Sequence, residues 1–155
     1  DILVDINDAN IRFYGVHFPA PYHNYQMRDS AFLALNQLLI SNPEPTIALG
    51  DFNVTSTEAR TRNTFYNQEI FWEIFHHIGC NDCKGSYYYA PDDDWSFLDT
   101  ILVSKGRGIS FVPGSIKLHK TSINMDKDNI KPSGFDANTL EGISDHIPLV
   151  AKINF

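Results

Sequence analysis

The stretch Thr46-Ile47-Ala48-Leu49-Gly50-Asp51-Phe52-Asn53 decides how this chain is read. Thr46–Leu49 has the composition of a buried strand, and the glycine that follows lets the backbone approach a neighbour closely before two polar side chains appear. Asp51 is therefore expected at the carboxyl end of a strand, where open sheets place their ligands. In an extended segment a carboxylate and a carboxamide two apart point the same way. One can then hold a metal or polarise a water while the other hydrogen-bonds a phosphate oxygen. Gly-Asp-x-Asn alone is a weak signal, because Asp and Asn after a strand are also ordinary turn formers.

Upstream, Ile2–Ile6 and Ile11–Val16 are β-prone stretches separated by Asn7-Asp8-Ala9-Asn10, which predicts a hairpin ending at His17. From Asn24 to Ile40 the residues Met27, Ala31, Leu35, Leu38 and Leu39 recur at helical spacing, and Asn42-Pro43 stops the pattern. Downstream, Phe65, Ile70, Phe71, Ile74, Phe75 and Ile78 predict a second helix over Asn63–His77. Strands near Ser86–Tyr89 and Phe97–Val103 bracket the turn-prone run Pro91-Asp92-Asp93-Asp94. An apolar stretch covers Ile109–Leu118, and Leu149–Phe155 alternates like a final strand. Lys120–Gly142 is polar and reads as a long loop, a lid or substrate rim or simply a mobile segment. This order predicts a mixed α/β (α+β) fold with helices covering a sheet.

The 155 residues are 43% hydrophobic and 13% aromatic, enough for one packed domain over residues 1–155. No apolar run approaches the roughly 20 residues that span a bilayer, and the first residues lack the order of a secretion signal. A net charge of −7 and a pI near 5.2 exclude the global basic field on which most nucleic-acid coating depends. Acidity does not exclude a phosphate substrate, because carboxylates that hold a cation attract anions once loaded. Cys80-Asn81-Asp82-Cys83 has the spacing of half a zinc site or a redox pair, yet no second Cys/His pair lies at a matching distance. Two plain thiols or a local disulfide remain, and a disulfide would favour an extracellular or periplasmic location, which is otherwise open.

Two further motifs carry chemistry. Ser144-Asp145-His146-Ile147-Pro148 places a hard oxygen ligand beside an imidazole that titrates near neutral pH. Asp99 lies in the apolar run Phe97–Val103, where an ionised carboxylate is costly to bury unless a cation or donors meet it. A histidine that must stay oriented and become positive is such a partner. His17 closes the first hairpin just before Phe18-Pro19, a position more often structural than functional. His23, His76, His77 and His119 are dispersed and read as solvated or capping groups.

Gly50-Asp51-x-Asn53, then Trp95-x-x-x-Asp99 ahead of an apolar strand, then Ser144-Asp145-His146-x-Pro148, in this order, resemble the endonuclease/exonuclease/phosphatase superfamily. The resemblance covers the whole chain but corresponds to the C-terminal part, some 60%, of the usual domain. It implies the C-terminal portion of a four-layer α/β/β/α sandwich with mixed sheets, and a metal-dependent phosphoester hydrolase. Cleavage of a phosphodiester in nuclease fashion leads, with a phosphatase or a phospholipase/sphingomyelinase-type hydrolase as the alternative. An inactive binding module is the rival of another class.

Carried over residue by residue, Asp51 would orient or deprotonate the attacking water, and Asn53 would contact the phosphate or position Asp51. Asp145, Asp51 and Asn53 would bind the metal, Mg²⁺ or alternatively Mn²⁺. His146 would bind or protonate a phosphate oxygen, held in its tautomer by Asp99, and His17 would be a general acid or transition-state donor. The substrate would be a nucleic acid or a small or lipid phosphodiester. The family's upstream half supplies an Asn and a Gln-Glu motif, and nothing before His17 matches them. Gln68-Glu69 follows Gly-Asp-x-Asn on the predicted helix and reads as a surface pair. The chain is thus expected to be a fragment, inactive or nearly so alone.

Overall fold

A computed structural model describes residues 1–55, 65, 67–75 and 83–155. Strands β1 (Ile2–Ile6) and β2 (Ala9–His17) form the expected hairpin. Its two-residue turn, Asn7-Asp8, has φ of 53° and 65°, left-handed values that Asx side chains tolerate and that match the twist of the flanking strands. Helix α1 (Tyr25–Ser41) then crosses over to β3 (Thr46–Asp51), which lies parallel to β2. Asn24 caps the helix, its side chain accepting from the Gln26 amide at 3.0 Å. At the other end the Arg107 guanidinium donates to the carbonyls of Leu39, Asn42 and Glu44, meeting groups that a helix terminus leaves without internal partners.

The buried face of α1 differs from the expected one. Phe32, Leu35 and Leu39 face the sheet together with Arg28 and Asn36, whereas Met27 and Leu38 are exposed. The two buried polar residues have partners that sequence periodicity cannot see. Arg28 donates to the carbonyls of Pro19 and Ala20, at 3.3 and 2.8 Å. Asn36 accepts from the Trp72 indole at 2.8 Å and donates to Gln68 at 2.6 Å. Gln68 is therefore buried, a correction to the surface pair read from sequence; Glu69 beside it is exposed.

The second predicted helix is also corrected. Phe65 is helical and Asn67–Ile70 form a short 3₁₀ turn, but Trp72–Phe75 is strand β4, paired antiparallel with β7 (Asp99–Ser104). Aromatic and β-branched side chains suit a pleated surface, and Trp72 and Ile74 pack on the same side of the sheet as α1. The remainder of that stretch, like His76, His77 and Cys80, falls outside the described residues; Cys83 is disulfide-bonded.

The main sheet runs β1-β2-β3-β7-β4 and is mixed, with only the β2/β3 pair parallel. One face packs Tyr14, Ala48 and Leu102 against Phe32, Leu35 and Leu39 of α1. The other packs Ile11, Ile47 and Val103 against Ile109 and Phe111. A separate hairpin joins β5 (Tyr87–Tyr89) to β6 (Asp94–Ser96) through the acidic run. The stretch 109–118 holds two short strands, β8 (Ser110–Phe111) and β9 (Lys117–Leu118). The final stretch divides into β10 (Leu149–Val150), paired with β9, and β11 (Ile153–Asn154), paired with β8, in place of the single strand expected. Residues 120–142 hold no helix or named strand, but turns and side chains such as Asn124 and Asp126 satisfy much of their backbone. Among the described residues no helix is long and apolar enough to cross a membrane.

Candidate active site

Strand register sets the first row of the site. His17 pairs with Asp51 across the parallel β2/β3 ladder, and Asp51 pairs with Asp99 across the antiparallel β3/β7 ladder. Three polar side chains thus come from neighbouring strands at one end of the sheet. The approach of β2 to β3 here demands glycine at position 50. Its φ is +135°, and a Cβ would lie 2.1 Å from the Val16 carbonyl oxygen.

Beyond Asp51 the chain turns sharply. The Asp51 carboxylate accepts from the Asn53 amide at 2.7 Å, and Asn53 adopts a φ of 52°. This is an Asx turn, not the extended segment expected from sequence, so the two side chains do not simply point the same way. The Asn53 amide group donates to the Phe18 carbonyl at 2.8 Å and is buried. Phe18 packs edge-on to Phe32 and tilted to Phe52, with centroids 4.8 and 5.0 Å away, which fastens the turn to the core. Asn53 accordingly holds Asp51 and the loop after His17 in place.

Asp51 is half-buried, and its other oxygen lies 3.6 Å from Nε2 of His17, whose side chain is 78% exposed. Burial pushes the Asp51 pKa up, and the neighbouring Asp99 charge adds to this against the lowering effects of the Asn53 amide, His146 and His17.

The second part of the site is borne by the loop carrying Asp145 and His146. Nδ1 of His146 lies 2.7 Å from the Asp99 carboxylate, which leaves Nε2 as the outward-facing ring atom. The His146 amide donates to Ser144 Oγ at 3.0 Å. Burial lowers the imidazole pKa, but the Asp99 hydrogen bond and the charges of Asp99, Asp51 and Asp145 outweigh it, and the net shift is upward.

His17, Asp51, Asn53, Asp145 and His146 line one cleft of about 740 Å³, with Asp99 behind His146. All the residues singled out from sequence are therefore assembled. Residues that sequence reasoning passed over join them. Tyr87 packs against the His146 ring at 4.8 Å and stacks on Tyr89 at 6.4 Å, and Asp92 and Asp94 of the turn-prone acidic run also line the cleft. The signal available was the spacing of Tyr87 and Tyr89, two apart on one face of a strand and followed by the acidic run.

The donors suit a hard divalent ion. Among the described residues no group of three or more His, Cys, Asp or Glu side chains converges to hold a metal. Mg²⁺ does not require such a group, since it keeps several waters and is bound through one or two carboxylates with substrate phosphates. Asp145 and Asp51, two carboxylates on one cleft, fit that description.

A mixed α/β fold thus brings carboxylates and a carboxylate-held imidazole together in one cleft. The model of the endonuclease/exonuclease/phosphatase family matches residues 2–146, and the chain belongs to that family. Solved structures share the fold. One is a family member from Bacteroides thetaiotaomicron, 19% identical with a TM-score of 0.61, the match covering 96% of this chain and 51% of the other. Another is the Bacteroides thetaiotaomicron mannosyl-6-phosphatase, 19% identical with a TM-score of 0.60, covering 96% and 52%. A humanized D. rerio TDP2 is 12% identical with a TM-score of 0.68, covering 99% and 59%. The chain therefore spans about half the length of the solved structures it matches. No curated protein matches it significantly.

Proposed function

We propose that this chain carries the acid–base part of a metal-dependent phosphoester hydrolase. The observation that carries the proposal is the 2.7 Å Asp99–His146 pair, set beside Asp51 in one cleft. A carboxylate behind the imidazole holds its tautomer and stabilises its cationic form, so Nε2 is available to donate to a phosphoryl oxygen as negative charge develops there. Asp51, with one oxygen engaged by the Asn53 amide, orients the attacking water and accepts its proton. His17, exposed with its Nε2 3.6 Å from the Asp51 carboxylate, would donate toward the same phosphoryl group. Asp145 and Asp51 are the residues that would hold Mg²⁺ or Mn²⁺, which when bound neutralises charge on the phosphate oxygens. Further ligands would come from water, substrate or residues other than these.

Family membership supports a phosphodiester substrate cleaved in nuclease fashion. A second reading, a small phosphoester of phosphatase or phospholipase type, is favoured by Asp92 and Asp94 on the cleft, because these carboxylates would repel the flanking phosphates of a nucleic-acid strand. The disulfide at Cys83 supports an extracellular or periplasmic setting, where such bonds persist.

The test is hydrolysis of bis-p-nitrophenyl phosphate, p-nitrophenyl phosphate, sphingomyelin and DNA by the full-length protein, with Mg²⁺ or Mn²⁺ and with EDTA. Cation-dependent turnover that His146→Ala abolishes is expected. Cation binding without hydrolysis of any of the four would replace the proposal with a binding module.

A further inference from the structure

The Asp99–His146 pair joins two segments far apart in sequence, and the structure places one residue between them. Ser86 immediately precedes β5, is fully buried, and reaches both partners. Its Oγ accepts the Asp99 amide at 3.1 Å. Its carbonyl accepts the amide of Ile147, next to His146, at 2.6 Å, and its own amide donates to the Ser96 carbonyl at 3.0 Å. The following residues extend the attachment. Tyr87 bridges to His146, and the Tyr88 amide donates to the Asp145 carbonyl at 3.0 Å. The strand is thus held on one edge by β6 and on the other by the loop carrying Asp145 and His146. Gly85 admits this packing, since a Cβ there would lie 2.6 Å from the Ser96 carbonyl oxygen.

We propose that Ser86 is a positioning residue that fixes the Asp99–His146 geometry, its side chain anchoring the carboxylate's backbone and its main chain anchoring the imidazole's. The inference rests on the reading of that pair as the working acid–base unit. Loss of the Oγ leaves the Asp99 amide without its buried acceptor, so the start of β7 is free to shift against the loop. A displacement of about 1 Å in such a pair is enough to cost up to 10²-fold in rate. Ser86 is not itself among the residues that line the cleft, and its side chain meets the site through the Asp99 amide, so the effect of losing the Oγ passes through the pair.

Two readouts test this on Ser86→Ala and on Ser86→Cys, whose sulfur keeps similar bulk but accepts hydrogen bonds weakly. The first is the downfield proton resonance of the His146 Nδ1–H, measured on the chain itself and assigned by its absence in His146→Gln. Both Ser86 variants are expected to broaden or lose it while retaining the far-UV spectrum. The second is turnover of bis-p-nitrophenyl phosphate by the full-length protein, where kcat is expected to fall about 10-fold with KM unchanged. A folded Ser86 variant that keeps both the resonance and kcat overturns the positioning role. Asp99→Asn separates this from the functional reading: if it leaves turnover unaltered, the working pair is wrongly assigned, whatever Ser86 does to the resonance.

Discussion

Asp51 and Asp99 face one another in the β3/β7 ladder, whereas Asp145 and His146 lie in a loop that meets the rest of the site through one bridge to Tyr87 and a few hydrogen bonds. The first two carboxylates cannot change their relative position without shifting strands whose other residues, Ala48, Leu102 and Val103, are fully buried. The second pair depends on local contacts, the Ile147 amide on the Ser86 carbonyl and the His146 amide on Ser144 Oγ. Chemistry that requires a rigid base and an adjustable donor would divide its residues in this way. Strand-borne groups inherit the stability of the core, and loop-borne groups inherit only that of their own anchors.

The comparison breaks most visibly at the one contact that spans both regions. Asp99→Asn keeps the shape of the strand but replaces the charged partner of the His146 ring with a neutral amide that neither stabilises its cation nor fixes its tautomer, and turnover of the Mg²⁺-loaded full-length protein should fall about 10²–10⁴-fold. An unaltered steady-state rate would defeat the assignment. Within the strand-borne region, Leu102→Ala opens a cavity in a fully buried position of β7 and should cost about 2–5 kcal/mol in urea unfolding. A cost under about 1 kcal/mol would show that the ladder does not depend on that packing.

Ser144→Ala should cost only about 0.5–1.5 kcal/mol, the range of a single hydrogen bond, because it frees the His146 amide in a partly exposed loop. Faster amide exchange confined to residues 144–147, with β7 unchanged, is the expected pattern; uniform acceleration would erase the distinction between the regions. The smallest effect is the pH dependence of the metal-free protein in EDTA. The His146 pKa is raised above 6.5, so its contribution to stability is complete below that value and is lost as pH rises through the folded-state pKa. Asp51, raised above 3.8, also binds its proton better when folded, so its own contribution is lost at more acidic pH, as pH rises from 3.8 through its folded value. Thermal melts on either side of neutrality should therefore show a decline toward alkaline pH that Asp99→Asn removes.

Much of this arrangement was legible in the sequence where a residue's surroundings contradicted its chemistry. Asp99 stood out because a charge in an apolar strand requires a partner, and a 2.7 Å contact with His146 supplies it. The hairpin, α1 and β3 were readable from turn residues and periodicity, which are local properties. Features decided by distant segments were not. Trp72–Phe75 carried a helical pattern, yet the open edge of β7 and the Asn36 side chain draw it into a strand. Gln68 resembled a surface residue because its partner lies on α1, 32 positions earlier. Asn53 departed from the extended geometry because the Asp51 carboxylate competes for its amide. Ser86 gave no signal at all, since its role consists of contacts that no spacing encodes.

Arg28 has a consequence beyond burial. Its guanidinium, sealed beneath α1, grips the carbonyls of Pro19 and Ala20, and Ala20 and Pro21 form part of the cleft wall just past His17. The helix and that wall are therefore mechanically geared. The seat of α1 on the sheet thus helps to set where that wall stands, and with it the shape of the entrance.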